Sequence, residues 1–231
     1  METPKLVLEA FESGLSIESV IVPSDVHPDP DIAEACDASD AKLFSLDADA
    51  YAKLADAKSP QPALAVVEAP SLDVDGRFDG EGPSMLLVLV DVSDPGNVGT
   101  LIRTAEASGC AGVLVTSETA DVLSPKVVRS SAGSMLRVPI GEVDRDDLLG
   151  ELSRLGATSV ATAMGSVAYD EVEIGSDSRL ALLLGSEAHG LGDDLLAAAD
   201  MTVSIPMHGN VESLNVATTG AVLAFALRRR S

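Results

Sequence analysis

Three stretches of this sequence combine the residue types from which a ligand site can be built. They are "DPGNVGTLIRTA" at 94–105, "LLLGSEAHGL" at 182–191 and "SIPMHGNVESLNVATTGAVLAFALRR" at 204–229. Each places Gly beside amide, carboxylate, hydroxyl or guanidinium side chains. An ordinary loop needs one Gly or one Asn, so this density predicts a polar, glycine-rich ligand site that the three stretches share.

The sequence lacks the short motifs of several common enzyme classes. No G-x-G-x-x-G pattern follows a predicted strand and opens a helix, no Walker loop has the required spacing, and no G-x-S-x-G elbow occurs. The three histidines, His27, His189 and His208, are too far apart in sequence to suggest a metal site. We therefore expect no metal ion.

Alternating strand and helix patterns would position the three stretches. The segment "MLLVLVDV" is a continuous apolar run, typical of a parallel strand that is buried on both faces. Strands and helices alternate from there, with a strand expected at 135–140, "MLRVPI", and a last helix from about Ser213. This alternation predicts a mostly parallel, doubly wound sheet. The three stretches follow predicted strands, at the carboxyl ends where ligands bind in such sheets.

A smaller pattern of helices and strands precedes this sheet. Residues 1–70 read as an α/β unit that includes the strands "IESVIVP" and "KLFSL". Residues 71–84, "SLDVDGRFDGEGPS", are polar and Gly-rich and are interpreted as a linker. The sequence thus predicts two α/β domains, at 1–70 and 85–231.

The composition is strongly acidic. Fifteen Lys and Arg residues against 37 Asp and Glu residues give a net charge of −22. For most chains this balance argues against a nucleic-acid partner, but it also fits a surface adapted to a high-salt interior. Cys36 and Cys110 lie in different segments, form no metal or redox pair and are expected to be small buried residues.

Neither a membrane span nor a targeting segment is predicted. No run approaches the roughly 18 uncharged apolar residues of a membrane span. Residues 1–14 lack the basic and apolar regions of a signal peptide. We expect a cytoplasmic protein without a membrane partner.

The three stretches together resemble the SpoU family of RNA 2′-O-methyltransferases, within the SPOUT superfamily. The family motifs are N-x-G followed by Arg, then G-x-E-x-x-G, then I-P-M followed by S-L-N-V-A. The matching residues are Asn97, Gly99 and Arg103, then Gly185, Glu187 and Gly190, then Ile205, Pro206 and Met207 with the run from Ser213 to Ala217. The resemblance covers residues 85–231. The segment "LADAKSPQPALAVVE" also resembles the end of the small RNA-binding domain of many members.

This resemblance implies a fold and a cofactor. Family members tie the C-terminal chain into a deep trefoil knot, an exception to the rule that folds are unknotted. They bind S-adenosylmethionine in a bent pocket of the knot's loops, where small residues let backbones approach closely. The implied cofactor contacts are Gly185, Ile205, Met207, Leu214 and, in a neighbouring loop, Ala163 and Met164.

The resemblance also implies the reaction, in which a methyl group passes from a sulfonium to a ribose hydroxyl. The enzyme must remove a proton from a poor nucleophile and align it. Arg103 is the residue implied at the hydroxyl, and a bidentate grip on an RNA phosphate is an equally physical role for it. Asn97, Glu187, Ser213 and Asn215 would orient this arrangement.

Each residue also has a structural alternative. Asn97 could cap the helix after "DPG", and Ser213 could cap the last helix. Arg103 could pair with Glu106 at i+3, and Glu187 could stabilise its loop. RNA contact and surface solvation both stay open for Arg129, Arg137 and the terminal Arg228, Arg229 and Arg230.

The resulting hypothesis is an S-adenosylmethionine-dependent methyltransferase of ribosomal RNA, with transfer RNA second. It would be a homodimer whose active site borrows residues across the interface, as in the family. One alternative is a non-catalytic RNA-binding protein that keeps the fold, and another is a small-molecule methyltransferase. Two-domain members usually carry a basic segment before the region that matches residues 2–14. Without that segment, weaker RNA binding is expected.

Overall fold

The structure is a computed structural model that describes residues 1–57, 59–78, 84–173, 179–209, 211 and 213–228. It contains two compact units, Met1–Ser71 and Leu72–Ser231, and each is described by itself. Within this described part of the chain, no helix has the length and apolar content needed to cross a membrane. Asn210, Glu212, Arg229 and Arg230, as well as residues 79–83 of the predicted linker, lie outside the described residues.

The small unit is a three-stranded sheet with three helices. Its elements are α1 (Pro4–Glu12), β1 (Ile17–Pro23), α2 (Pro30–Asp37), β2 (Lys42–Leu46), α3 (Ala48–Leu54) and β3 (Leu64–Val67). The central strand β1 pairs parallel with β2 and antiparallel with β3. Each helix begins after a polar residue, Thr3, Asp29 or Asp47, whose side chain accepts a backbone hydrogen bond from the first turn. The strands predicted at 17–23 and 42–46 are confirmed.

The large unit is built on a six-stranded sheet. Its elements are β4 (Ser84–Val90), α4 (Pro95–Ser108), β5 (Gly112–Thr116), α5 (Pro125–Ser130), β6 (Ile140–Val143), α6 (Leu148–Arg154), β7 (Ala157–Ala168), β8 (Arg179–Gly185), α7 (Asp193–Ala198), β9 (Met201–Ser204) and α8 (Val216–Arg228). The strand order is β6-β5-β4-β8-β7-β9, and every pair is parallel. The predicted parallel sheet is therefore confirmed.

The centre of this sheet follows from its apolar sequence. In β4 and β8 the side chains are buried on both faces, since residues 85–90 and 180–185 are almost completely shielded from solvent. Burial of each large aliphatic side chain is worth about 1.5–3 kcal/mol. Helix α8 comes close to β8 and α4 because Gly220 has no side chain. A Cβ there would lie 2.3 Å from Leu101 Cδ2 and 2.8 Å from Leu184 Cδ1.

One predicted strand is wrong. The apolar segment 135–140 was expected to be a strand, but Ser134–Leu136 form a 3₁₀ helix and β6 begins only at Ile140. Gly133 adopts a φ of 86° and its carbonyl accepts a hydrogen bond from the backbone N–H of Leu136. This compact turn, and not strand pairing, buries the apolar residues. The pattern of apolar residues in the sequence cannot distinguish a buried turn from a buried strand.

Much of the predicted linker packs with the large unit. In the segment 71–84, the Phe78 side chain is only 2% exposed and belongs to the core of that unit. Its ring fills the space above Gly112 and Gly141, where a Cβ would come within 3 Å of it. The Leu72 carbonyl accepts a hydrogen bond from the backbone N–H of Glu142 at 2.8 Å. Leu72 and Phe78 therefore attach this segment to the sheet, although residues 73 and 75–77 are exposed.

The two cysteines differ in burial. Cys36 is buried, as expected, whereas Cys110 is half-buried with its Sγ 3.2 Å from Ser108 Oγ. Desolvation raises the pKa of both thiols above its ordinary value. Neither thiol has the lowered pKa of a reactive cysteine.

Candidate functional site

The three stretches meet through the side chain of Asn97. Its Nδ2 donates a hydrogen bond to Glu187 Oε1 at 2.5 Å, and its Oδ1 accepts one from Asn215 Nδ2 at 3.1 Å. Each partner comes from a different stretch, and the three residues are 28 to 118 positions apart in sequence. The structure thus brings three of the five predicted catalytic residues into one polar cluster.

Asn97 is available for this cluster because another residue caps its helix. Asp94 is the N-cap of α4, and its Oδ1 accepts the Asn97 backbone N–H at 2.9 Å. That hydrogen bond, together with Lys126 Nζ at 3.5 Å, lowers the pKa of Asp94 below its ordinary value. The alternative in which Asn97 is the cap is therefore wrong.

Asn215 has a double role at the start of α8. Its Oδ1 accepts hydrogen bonds from the backbone N–H groups of Ala217 at 2.9 Å and Thr218 at 3.3 Å, so it caps the helix. Its Nδ2 faces the other way and binds Asn97. The alternative in which Ser213 caps the helix is wrong. Ser213 is exposed and lies two residues before the cap.

Glu187 is carried by a tight loop after β8. Ser186 and Gly190 exchange two backbone hydrogen bonds, at 2.9 and 3.1 Å, and Gly190 has a φ of 63°. This loop folds directly over Gly185, where a Cβ would lie 2.2 Å from the Gly190 carbonyl carbon and 2.4 Å from Leu191 N. The close approach of two backbone segments explains why glycine stands at position 185.

The sequence analysis missed the residue that anchors this loop. Arg145, just after β6, donates to the Leu191 carbonyl at 2.7 Å, to Asp91 Oδ2 at 2.8 Å and to Asp194 Oδ1 at 3.2 Å. Asp91 ends β4 with a φ of 55° and also accepts from Thr116 Oγ1 at 2.7 Å. The pKa of Asp194 is lowered by the Leu195 backbone N–H and by Arg145. The sequence indication of this contact is Asp91, a carboxylate directly after an apolar strand.

The predicted cofactor residues follow three neighbouring strands. Gly185 ends β8, Ile205 and Met207 follow β9, and β7 lies between those strands. Ala163 and Met164 were predicted in a loop, but they lie within β7, where its pairing with β9 shifts between Thr162 and Val167. Carboxyl ends of parallel strands share one edge, so Gly185 and residues 205–207 lie at the same edge of the sheet. Leu214, just before α8, is 37% exposed.

Arg103 is not part of the polar cluster. It is exposed on α4, six residues beyond Asn97 and hence about 9 Å further along the helix axis. Its expected partner Glu106 is instead bound by Arg137 at 2.5 and 3.0 Å, and these bonds lower the pKa of Glu106. Within the described residues, Arg103 forms no hydrogen bond or ion pair. The expected pairing of Arg103 with Glu106 is thus wrong as a direct ion pair, although the charge of Arg103 also helps to lower the pKa of Glu106.

Two of the other arginines are bound within the chain. Arg137 holds Glu106, and Arg228 donates to the Ser108 carbonyl at the end of α4. A metal-binding group is not found either: the part of the chain that the structure describes holds no cluster of three or more His, Cys, Asp or Glu residues suited to an ion.

A family model described as the SpoU rRNA Methylase family matches residues 84–225. Over 229 residues the chain is 30% identical to the 23S rRNA (guanosine(2553)-2′-O)-methyltransferase RlmP of Bacillus subtilis, an alignment of 99% of this chain and 87% of that protein. It is 32% identical over 206 residues to the 23S rRNA (guanosine-2′-O-)-methyltransferase RlmB of Ralstonia nicotianae, which covers 87% and 82% of the two chains.

Solved structures agree with these similarities. The chain superimposes on the SpoU methyltransferase AviRb from Streptomyces viridochromogenes in complex with AdoMet, with a TM-score of 0.89, 26% identity and coverage of 100% and 89%. An AdoMet-bound rRNA methyltransferase from Sinorhizobium meliloti gives a TM-score of 0.88 at 27% identity, with coverage of 99% and 86%.

Proposed function

This chain belongs to the SpoU rRNA methylase family, and from that membership we propose its activity. It transfers a methyl group from S-adenosylmethionine to a ribose 2′-hydroxyl of structured RNA, with ribosomal rather than transfer RNA as the substrate. The observation that carries the proposal is the Asn97–Glu187–Asn215 cluster, in which one side chain from each family motif meets the others. Two of the relatives are named as 23S rRNA methyltransferases.

The carboxyl ends of β8, β7 and β9 form the edge of the sheet at which we place S-adenosylmethionine. Gly185 lets the Gly190–Leu191 peptide pack directly against the end of β8 at that edge. Large apolar side chains lie uncovered nearby, with Met164 75% exposed and Leu214 37% exposed. We assign the cofactor to Gly185, Ile205, Met207, Leu214, Ala163 and Met164. When bound there, it supplies an activated methyl group.

The chain's own residues then have to align the hydroxyl and handle its proton. Asn97, Glu187, Ser213 and Asn215 orient the ribose, since together they offer amide, carboxylate and hydroxyl groups. Arg103 holds the adjacent RNA phosphate with its guanidinium. We prefer this role to deprotonation because Arg stays charged in proteins and binds phosphate with two parallel hydrogen bonds.

A second copy of the chain completes the site in this proposal. Arg103 is exposed and lies two helical turns from the cluster, which suits action across a dimer interface. On α8, Val222 is 38% exposed and Phe225 is 48% exposed, and a homodimer would cover such apolar surface. Light scattering should give twice the 23.7 kDa mass of one chain. A single-chain mass across micromolar concentrations would contradict the dimer.

We also propose the trefoil knot and the RNA-binding role of the small unit. The knot is supported by the strand order, in which β8 is inserted between β4 and β7, and by the family to which the chain belongs. The small unit, predicted at residues 1–70, would bind RNA as in two-domain family members. A protein that methylates ribosomal RNA would work in the cytoplasm.

Two measurements test the activity. Calorimetric titration with S-adenosylmethionine should show saturable binding, and no binding at about 1 mM ligand would exclude both methyltransferase hypotheses. Incubation with labelled S-adenosylmethionine and unmodified ribosomal RNA should give 2′-O-methylated nucleosides after digestion. RNA binding without methyl transfer would favour the non-catalytic alternative.

A further inference from the structure

A cleft lies beside the polar cluster, on the side away from the cofactor edge. Its volume is about 410 Å³, within the range of about 300–1,000 Å³ for small-molecule sites. It is open at the carboxyl ends of β4, β5 and β6, whereas β7 and β9 lie on the other side of β8. The polar side chains in its lining are Asp91, Ser93, Glu118, Arg145, Ser186 and His189.

This cleft and the polar cluster share one loop. Ser186 lines the cleft, and the next residue, Glu187, accepts the hydrogen bond from Asn97. In the segment between β4 and α4, Ser93 lines the cleft and the following residue, Asp94, caps the helix that carries Asn97. Consecutive Cα atoms are about 3.8 Å apart. A nucleotide whose ribose lies at the cluster therefore has its base within reach of the cleft.

The charges in the cleft disfavour a phosphate. Arg145 is the one lysine or arginine of the lining, and it is already bound to Asp91 and Asp194. Glu118 is exposed and has no ion pair within the described residues. Carboxylates therefore outnumber cationic groups in the lining. They repel an anion but accept hydrogen bonds from neutral N–H donors.

Resting on the function proposed above, we propose that this cleft receives the base of the target nucleotide, that the base is guanine, and that Glu118 recognises it. Enzymes that modify nucleotides read an unstacked base through its Watson–Crick edge. Guanine presents two adjacent donors there, N1–H and the N2 amino group, which match the two oxygens of one carboxylate. Uracil presents one N–H between two carbonyls, which a carboxylate repels. Adenine and cytosine place a ring acceptor beside their amino group.

The test uses the full chain, unmodified ribosomal RNA and labelled S-adenosylmethionine. The methylated nucleoside should be 2′-O-methylguanosine. Glu118→Gln should lower kcat/KM by at least about fivefold, the lower end expected from loss of a bidentate base contact. It should leave the calorimetric Kd for S-adenosylmethionine and the melting temperature unchanged. The matched control is Glu171→Gln, which removes the same charge from an exposed residue outside the cleft lining and should keep kcat/KM within twofold.

The remaining outcomes overturn the proposal in distinguishable ways. A methylated uridine, adenosine or cytidine, or equal kcat/KM for Glu118→Gln and the control, refutes guanine recognition while the proposed activity stands. No methyl transfer to RNA by the unaltered chain refutes the proposed function, and the cleft assignment with it.

Discussion

Asn97 can join three distant segments because its amide has a donor and an acceptor at opposite sides. Its Nδ2 binds the Glu187 carboxylate, and its Oδ1 takes a hydrogen from Asn215. An aspartate of the same shape could still accept from Asn215, but it could not donate to Glu187 and would place a second carboxylate against it. The function of position 97 should therefore depend on the amide chemistry of the side chain and not on its size.

Asn97→Asp tests this position. We expect methyl transfer to fall by about 100-fold, because misplacing catalytic groups by about 1 Å has a cost of that order. The Kd for S-adenosylmethionine should stay within about threefold, since Asn97 does not line the proposed cofactor edge. The matched control is Thr100→Ala on the exposed side of α4, whose hydroxyl bonds only to Gly96 O. Equal losses of activity and cofactor binding would show that Asn97 supports the fold instead.

Tyr51 gives a prediction for the small unit at alkaline pH. Its hydroxyl donates to the Gln61 carbonyl, and burial, with a smaller effect of Glu2, raises the pKa of Tyr51 to about 12. An unfolded tyrosine has a pKa of about 10. Between these values the unfolded chain loses a proton that the folded chain keeps, so stability should fall as pH rises, by at most about 1.4 kcal/mol per pH unit.

The measurement uses the Tyr169→Phe chain, because the sequence has two Tyr and no Trp. Ultraviolet titration of that chain should show no phenolate at about pH 10.5 while the protein is folded, and a midpoint near 10 in urea. Phenolate formation near pH 10 in the folded chain would contradict the buried, hydrogen-bonded Tyr51.

Functional residues could be predicted from the sequence only where the neighbouring residues form a recognisable pattern. The family motifs placed Asn97, Glu187 and Asn215 correctly together, because each is flanked by glycines or a helix start. Arg145 was missed because its partners, Asp91 and Leu191, are 54 and 46 residues away. No local pattern encodes such a contact. The caps Asp94 and Asn215 were also hidden, since several residues near each helix start could serve.

At the scale of elements, the loop after β8 depends on close contact between two backbone segments. Gly185 lies under the Gly190–Leu191 peptide, and Arg145 fixes the far end of the loop through the Leu191 carbonyl. The loop carries Glu187 on one side and closes the proposed cofactor edge on the other. Any side chain at 185 would lift the loop and disturb both.

Gly185→Ala should therefore weaken S-adenosylmethionine binding at least about tenfold and destabilise the large unit by about 1–3 kcal/mol, the usual cost of overpacking. Calorimetry and thermal unfolding would measure these effects. The control is Gly150→Ala in α6, where a Cβ would meet nothing within 4 Å. Because alanine favours helix over glycine by up to about 1 kcal/mol, that variant should be slightly stabilised. Unchanged cofactor binding in Gly185→Ala would exclude this role for the loop.

Strands and helices were predicted best where apolar periodicity was unbroken. The run at 85–90 is a fully buried central strand because it is apolar at every position. At 135–140 the apolar run is interrupted by Arg137 and Pro139, and its start forms a 3₁₀ turn, since Gly133 turns the chain first. In the segment 72–78, the polar residues suggested a linker, but Phe78 alone was enough to bind the segment to the core.

For the whole molecule, the distribution of charge limits how it can bind RNA. Residues 1–70 carry 4 cationic and 14 anionic side chains, and residues 85–231 carry 10 and 19. Several arginines are already bound inside the chain: Arg137, Arg145, Arg154, Arg179 and Arg228. Because anionic side chains outnumber cationic ones in both segments, we expect counterion release to contribute little to RNA binding. Recognition should rest on RNA shape and on local arginines, with Arg103 and Arg129 foremost.

This charge distribution predicts an unusual response to salt. As KCl rises from about 0.1 M to about 1 M, the Debye length falls from about 10 Å to about 3 Å, which weakens repulsion between the acidic surface and RNA. Methyl transfer to ribosomal RNA should hold steady or rise over that range, whereas an enzyme bound mainly through phosphate contacts loses affinity steeply. Circular dichroism at each salt concentration controls for folding. A tenfold or greater loss of activity in the folded protein would instead indicate a basic RNA-binding face, and Arg103→Ala and Arg129→Ala would then show whether these two residues form it.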